Sequence, residues 1–134
     1  MDYNEIFRKR TKKLVIDIIQ ILSPLPYSDA LGIFRKQLIR SATTTAANYR
    51  EMGRARSSKE RFSKLSITTE EADEKLFWLE LLEELHFLDN RLLKTLKNEA
   101  EEVVKTLATY RKSLFHQYSI SPITLDLSLI TYQL

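Results

Sequence analysis

The sequence predicts an all-α fold: an antiparallel up-down-up-down four-helix bundle followed by an irregular or strand-like C-terminal tail. Three observations predict it. Four long stretches repeat apolar residues at steps of three and four, the spacing of one helix face. Only 2 glycines and 3 prolines occur in 134 residues, too few breakers for the tight turns of a β-protein. The connections are short, which makes consecutive helices antiparallel neighbours. A chain of this length can bury one core. The bundle is therefore assigned to residues 1–118, with helices at about 3–22, 28–53, 58–88 and 91–117, and the tail to 119–134.

The first helix carries Phe7, Leu14, Ile18 and Ile21 on one stripe, widened by Val15, Ile19 and Leu22. "SPLPYS" ends it, because Pro24 and Pro26 cannot continue a helix interior. Ser28 is the expected N-cap of the second helix, with Asp29 favourable in its first turn. Its stripe is Leu31, Phe34, Leu38, Ala42, Thr45, Tyr49 and Met52. Ser57 and Glu60 have the spacing of a capping box and open the third helix. Phe62, Leu65, Thr69, Ala72, Leu76 and Leu79 then form a heptad seam, the pattern of helices packed at a shallow angle. Asp89 or Asn90 can cap the fourth helix, whose stripe is Leu93, Leu96, Ala100, Val103, Leu107, Tyr110 and Leu114. In the tail, Ile123, Leu125, Leu127 and Leu129 alternate with polar residues, as in a strand. Two readings stay open for it: a frayed end, or a segment that adds to a partner's edge or packs on a neighbouring subunit.

Charge is unevenly spread. Residues 1–64 hold 14 Lys and Arg against 6 Asp and Glu, a net +8, and residues 65–134 hold 7 against 12, a net −5. Such asymmetry predicts one basic and one acidic surface. The opening "MDYNEIFRKRTKK" has no apolar signal core, and no apolar run approaches the roughly 20 residues that span a bilayer. Cysteine is absent, which removes disulfides and thiol catalysis and fits a reducing compartment. A cytoplasmic protein without membrane contact is the expectation.

Little in the chain points to catalysis. His86 and His116 are the only histidines, and neither has a second ligand at a metal spacing. The cluster Glu70, Glu71, Asp73, Glu74 evokes carboxylate-rich metal helices, but that design needs a Glu-x-x-His pair on each of two helices. Glu83 and His86 make one such pair, while Glu101 and Glu102 have no nearby histidine. No glycine-rich phosphate loop, nucleophile elbow or triad stands out. The reading is a non-enzymatic protein without metal or cofactor.

Two features point to partners instead. In "KLFWLELLEELHFL", Phe77, Trp78, Leu81, Leu82 and Leu85 extend the apolar surface of the third helix well beyond its seam. Soluble monomers avoid such patches, so these five residues are the candidate interface of a homo-oligomer, with Trp78 as anchor. A core wide enough to pack against two neighbouring helices is the alternative. The second feature is "NYREMGRARSSKE", the joint between the second and third helices. Gly53 suits a helix end, and Arg50, Arg54 and Arg56 complement its partial negative charge. Lys59, Arg61 and Lys64 occupy the first turns of the third helix, where acidic residues are favoured. Six cations here exceed what capping needs and point to an anionic partner, most simply phosphate. Arg8, Lys9, Arg10, Lys12 and Lys13 of the first helix extend the basic set. No aromatic residues interleave with them, so the expected contact is with RNA or DNA backbone rather than with stacked bases. The competing reading is an adaptor whose basic residues pair with the acidic third helix of a neighbouring subunit.

Residues 38–82, "LIRSATTTAANYREMGRARSSKERFSKLSITTEEADEKLFWLELL", resemble the bacterial four-helix-bundle proteins encoded in 23S rRNA intervening sequences. That family also includes the accessory variability protein of diversity-generating retroelements. The residues carrying the resemblance are Arg40, Ser41, Ala47, Asn48, Glu51, Ser58, Lys59, Phe62, Leu65, Ser66 and Ile67. Where the commonest family form reads Asn-Ile-Ala-Glu-Gly, this chain has Asn48-Tyr49-Arg50-Glu51-Met52-Gly53, longer by one place and more basic. The resemblance implies a ring of four-helix subunits, typically a homopentamer, and a positive surface suited to RNA or DNA. In the retroelement branch it implies a reverse transcriptase as partner.

Overall fold

A computed structural model describes residues 3–88 and 90–117. Four helices follow in order: α1 Tyr3–Leu22, α2 Asp29–Met52, α3 Ser58–Glu84 and α4 Asn90–Gln117. Each packs against its sequence neighbours, and α1 closes the bundle loosely against α4. The expected strand-like tail, and Asp89 as a cap, lie outside the described residues.

Local chemistry sets the ends. Ser28 caps α2 by accepting the Leu31 N–H at 3.1 Å. Ser57 caps α3 by accepting the Glu60 N–H at 3.1 Å, and the Glu60 carboxylate reaches back to the Arg56 N–H at 3.3 Å. The capping box is thus present in a variant form, one residue wider on its return bond. Past the end of α1, Arg35 donates to the carbonyls of Leu22, Leu25 and Pro26, satisfying groups that the helix end leaves open.

The third helix stops at Glu84, four residues earlier than its pattern implies. His86 adopts φ 58°, a left-handed conformation that closes the helix. The Leu85 and His86 N–H groups donate back to Leu81 and Glu83 at 3.1 and 3.2 Å. The apolar run of residues 85–88 therefore belongs to the turn.

The core follows the periodicity, with instructive exceptions. All seven expected α2 positions are buried, joined by Ser41. In α1, Thr11 fills the gap between Phe7 and Leu14, and Leu22 takes the place expected of Ile21. The α3 seam runs Ala72, Lys75, Leu79, Leu82, so the half-buried Leu76 gives way to a lysine. In α4 the buried position is Arg111 rather than Tyr110. Lys75 and Arg111 are each only 1% exposed. Their aliphatic stems fill core positions as a methionine would.

Candidate nucleic-acid interface

Antiparallel topology gathers four chain segments at one end of the bundle: the start of α1, the end of α2, the joint, and the C-terminal part of α4. Two concavities meet there. A groove of about 940 Å³ runs between α1 and α2, lined by Arg8, Lys9, Lys12, Arg50 and Arg54. Val15 and Ile16 of α1 and the shorter Thr43, Ala46 and Ala47 of α2 contribute to its lining. Glu5 and Glu51 also line it. Glu5 pairs with Lys9 at 3.4 Å, and Glu51 with Lys64 at 3.6 Å. The second concavity, a cleft of about 240 Å³, is lined by Arg8, Arg50, Arg61, Tyr49 and Tyr110, with Asn4, Met52 and Gly53. Arg8 and Arg50 line both and join them.

The expected basic residues do not all share one environment. Arg8, Lys12, Arg50, Arg54 and Arg61 line the concavities and form no ion pair among the described residues. Lys9 lines the groove with its exposed pair to Glu5. Arg56 and Lys59 are exposed at the joint but line neither concavity. Arg10 and Lys13 depart from the expectation. Arg10 turns toward α4 and donates from Nε to Glu99 at 3.0 Å. Lys13 binds Asp17 one turn along its own helix at 2.7 Å. Folding brings in an aromatic residue from outside the basic stretches: Tyr110 from α4 stands beside Arg61 and Arg8. Tyr49 is fixed there by its hydroxyl, 2.9 Å from Asn4 Oδ1, and by an edge-on contact with Phe7 at 4.7 Å.

Gly53 closes α2 with φ −62°, an ordinary right-handed value, so the helix end does not require a glycine. A Cβ built there would meet only the Arg50 carbonyl, at 3.5 Å. What the missing side chain leaves open is the cleft that Gly53 lines.

The motif residues are mainly architectural. Arg40 bridges α2 to α3, donating to Glu71 at 3.1 Å and lying 2.6 Å from Glu74. Its hydrogen bond to Glu74 raises the guanidinium above its ordinary value and holds the Glu74 carboxyl below the usual range. Half of the acidic cluster is thereby engaged within the chain. Ser66 accepts the Arg111 Nε–H at 2.8 Å and donates to the Phe62 carbonyl at 2.9 Å. The Arg111 guanidinium lies over the Phe62 ring, 5.3 Å from its centre. Phe62 and Ser66 are thus the seat of Arg111, which fixes α4 against α3 next to Arg61 and Tyr110. Asn48 is half-buried on α2.

Periodicity missed Lys75 and Arg111, because it scores a cation as a surface residue. Lys75 is desolvated, and its ammonium pKa is pushed down to about 8, with Glu99 on α4 opposing the shift.

The candidate oligomer surface also divides. Leu82 is 0% exposed in the core of the single chain and offers nothing to a second copy. Trp78 packs edge-on against Phe34 at 5.6 Å, tying α3 to α2. Its indole N–H is buried and reaches no acceptor at hydrogen-bonding geometry among the described residues, although the Glu74 carboxylate one turn back feels it. Leu81 is half-buried. Phe77 and Leu85 remain open, at 54% and 49% exposure.

The sequence pattern of the family described as 23S rRNA-intervening sequence protein matches residues 4–109. The chain belongs to this family. The match spans α1 to most of α4, so all the expected basic residues fall within it. Among solved structures, a crystal structure of a protein with unknown function from the S23 ribosomal protein family of Bacteroides thetaiotaomicron is similar, with TM-score 0.73 and 27% identity. The likeness covers 81% of this chain and 97% of that one. No curated protein matches the sequence significantly. No helix among the described residues is long and apolar enough to cross a membrane.

Proposed function

We propose that this member of the 23S rRNA-intervening sequence protein family is a non-enzymatic, self-assembling scaffold that binds the phosphate backbone of RNA or DNA. The α1–α2 groove carries the reading: Arg8, Lys12, Arg50 and Arg54 converge on it without ion pairs among the described residues, and its volume of about 940 Å³ leaves room for a strand. Backbone phosphates need cations and access rather than a base-specific pattern. Phe77 and Leu85 supply the exposed apolar contacts through which copies would associate, and a five-membered ring is the assembly to test first. A reverse transcriptase is the protein partner to test, by co-purification.

Binding to single- and double-stranded RNA and DNA over a salt series tests the reading. Affinity should fall steeply with salt while the oligomer, followed by light scattering, persists. Replacing Arg8, Arg50 and Arg54 together by glutamine should weaken binding at least tenfold and leave assembly intact. Dissociation of the oligomer by those changes would show instead that the basic residues serve subunit pairing. The engagement of Glu71 and Glu74 by Arg40 speaks against that second reading.

A further inference from the structure

The geometry points to a second, more selective site: the cleft at the joint end holds a nucleoside phosphomonoester, free or as the end of a strand. Its phosphate sits on Arg8, Arg50 and Arg61, and its base lies against Tyr110. This rests on the backbone-binding reading and adds a division of labour to it, with internal phosphodiesters in the groove and the terminal group in the cleft.

Three observations separate the cleft from the groove. The first is charge. Guanidiniums from three helices border about 240 Å³ with no carboxylate among the described residues of the lining, whereas Glu5 and Glu51 line the groove. A phosphomonoester carries close to two negative charges at neutral pH, a phosphodiester only one. Arginine forks also match terminal phosphate oxygens two at a time. The space is too small for a duplex.

The second observation is the wall. Asn4, Tyr49 and Tyr110 are shared with an apolar depression of about 610 Å³ that continues along α1 and α4 past Phe7 and Leu107. A phosphate on the arginines therefore has an aromatic, apolar surface beside it for ribose and base. Stacking on such a surface is tolerant of base identity. The third is Gly53, which lines the cleft although its missing side chain is demanded neither by its backbone angle nor by packing within the chain.

The test uses the full chain and two ten-nucleotide RNAs, one with a 5′-phosphate and one with a 5′-hydroxyl, read by fluorescence polarisation. Calorimetry with AMP, adenosine and inorganic phosphate complements it. The 5′-phosphorylated RNA should bind at least tenfold more tightly. Arg61→Gln, which touches only the cleft, should remove that preference and leave the 5′-hydroxyl affinity unchanged. Lys12→Gln, which touches only the groove, should weaken both RNAs equally. Tyr110→Leu should weaken AMP severalfold more than inorganic phosphate. AMP binding as tight as the phosphorylated strand identifies a free nucleotide as the ligand; a large advantage for the strand identifies its end. Equal binding of the two RNAs with no AMP binding overturns the inference and leaves the groove reading standing. AMP binding without RNA binding does the reverse. Silence from every probe overturns both.

Discussion

The cations inside the bundle and those at its joint end are the same residue types in opposite circumstances. Inside or across helix interfaces, Arg111 has Ser66 and the Phe62 ring, Arg40 has Glu71 and Glu74, and Arg10 has Glu99, while the buried Lys75 has only the field of Glu99 to offset its desolvation. At the joint end, Arg8, Arg50, Arg54 and Arg61 converge on open space without ion pairs among the described residues. Positive charge without a partner repels its neighbours and works against stability. The contrast teaches that basic composition alone says little; what marks a candidate binding surface is which cations the fold leaves unmatched.

Substitutions at the two sets of cations test this contrast. Arg111→Ala should have the largest effect, a loss of about 3 kcal/mol in denaturant unfolding, because it opens a cavity and takes away the donor that the buried Ser66 oxygen accepts. A loss below about 1 kcal/mol would remove Arg111 from the structural set. Lys75→Met comes next. The folded pKa of Lys75 is depressed to about 8 from 10.5. Between those values the unfolded chain binds the extra proton, so stability attributable to this residue rises with pH across that window. Lys75→Met should therefore be more stable than wild type at pH 7, by about 2 kcal/mol, and the difference should shrink as pH rises from 8 to 10.5. A pH-independent difference would contradict the burial of its ammonium.

Arg40→Ala should cost only about 1 kcal/mol, because its cluster is partly solvated, and the cost should diminish in high salt. The combined Arg8→Gln, Arg50→Gln and Arg61→Gln variant should shift stability least, within about 0.5 kcal/mol, and any change should be a gain. A marked loss of stability would place these arginines among the structural cations.

Much of the fold was legible from periodicity, and α2 most clearly, because every member of its stripe is apolar or small. The reading failed at Leu76 and Tyr110 for one reason. In each case the adjacent cation, Lys75 or Arg111, buries its stem in the seam, and a hydropathy pattern counts such residues as surface. Trp78 and Leu82 looked like surplus apolar area, yet they complete contacts with α2 and the core. Of the five candidate interface residues, Phe77 and Leu85 are the exposed ones. The early end of α3 depends on a left-handed His86, which no spacing announces.

The basic joint was visible as a cluster of arginines, but its division into groove and cleft was not. Arg8, Arg50, Arg61 and Tyr110 come from four helices and meet only through the antiparallel topology. The same topology turns Arg10 away toward Glu99. The motif residues Phe62 and Ser66 acquire their meaning from Arg111, some 45 residues away in the chain.

The most direct test removes two charges in two places. Arg50→Gln with Arg54→Gln takes them from the open groove, and Arg10→Gln with Lys13→Gln takes them from paired positions. The slope of log affinity against log salt is then measured for RNA. Each lost phosphate contact lowers that slope by about 0.7 to 0.9. The groove pair should flatten it by about 1.5, and the paired set should leave it nearly unchanged. Equal flattening by both pairs would mean that binding follows net charge alone, and would contradict the assignment of this groove.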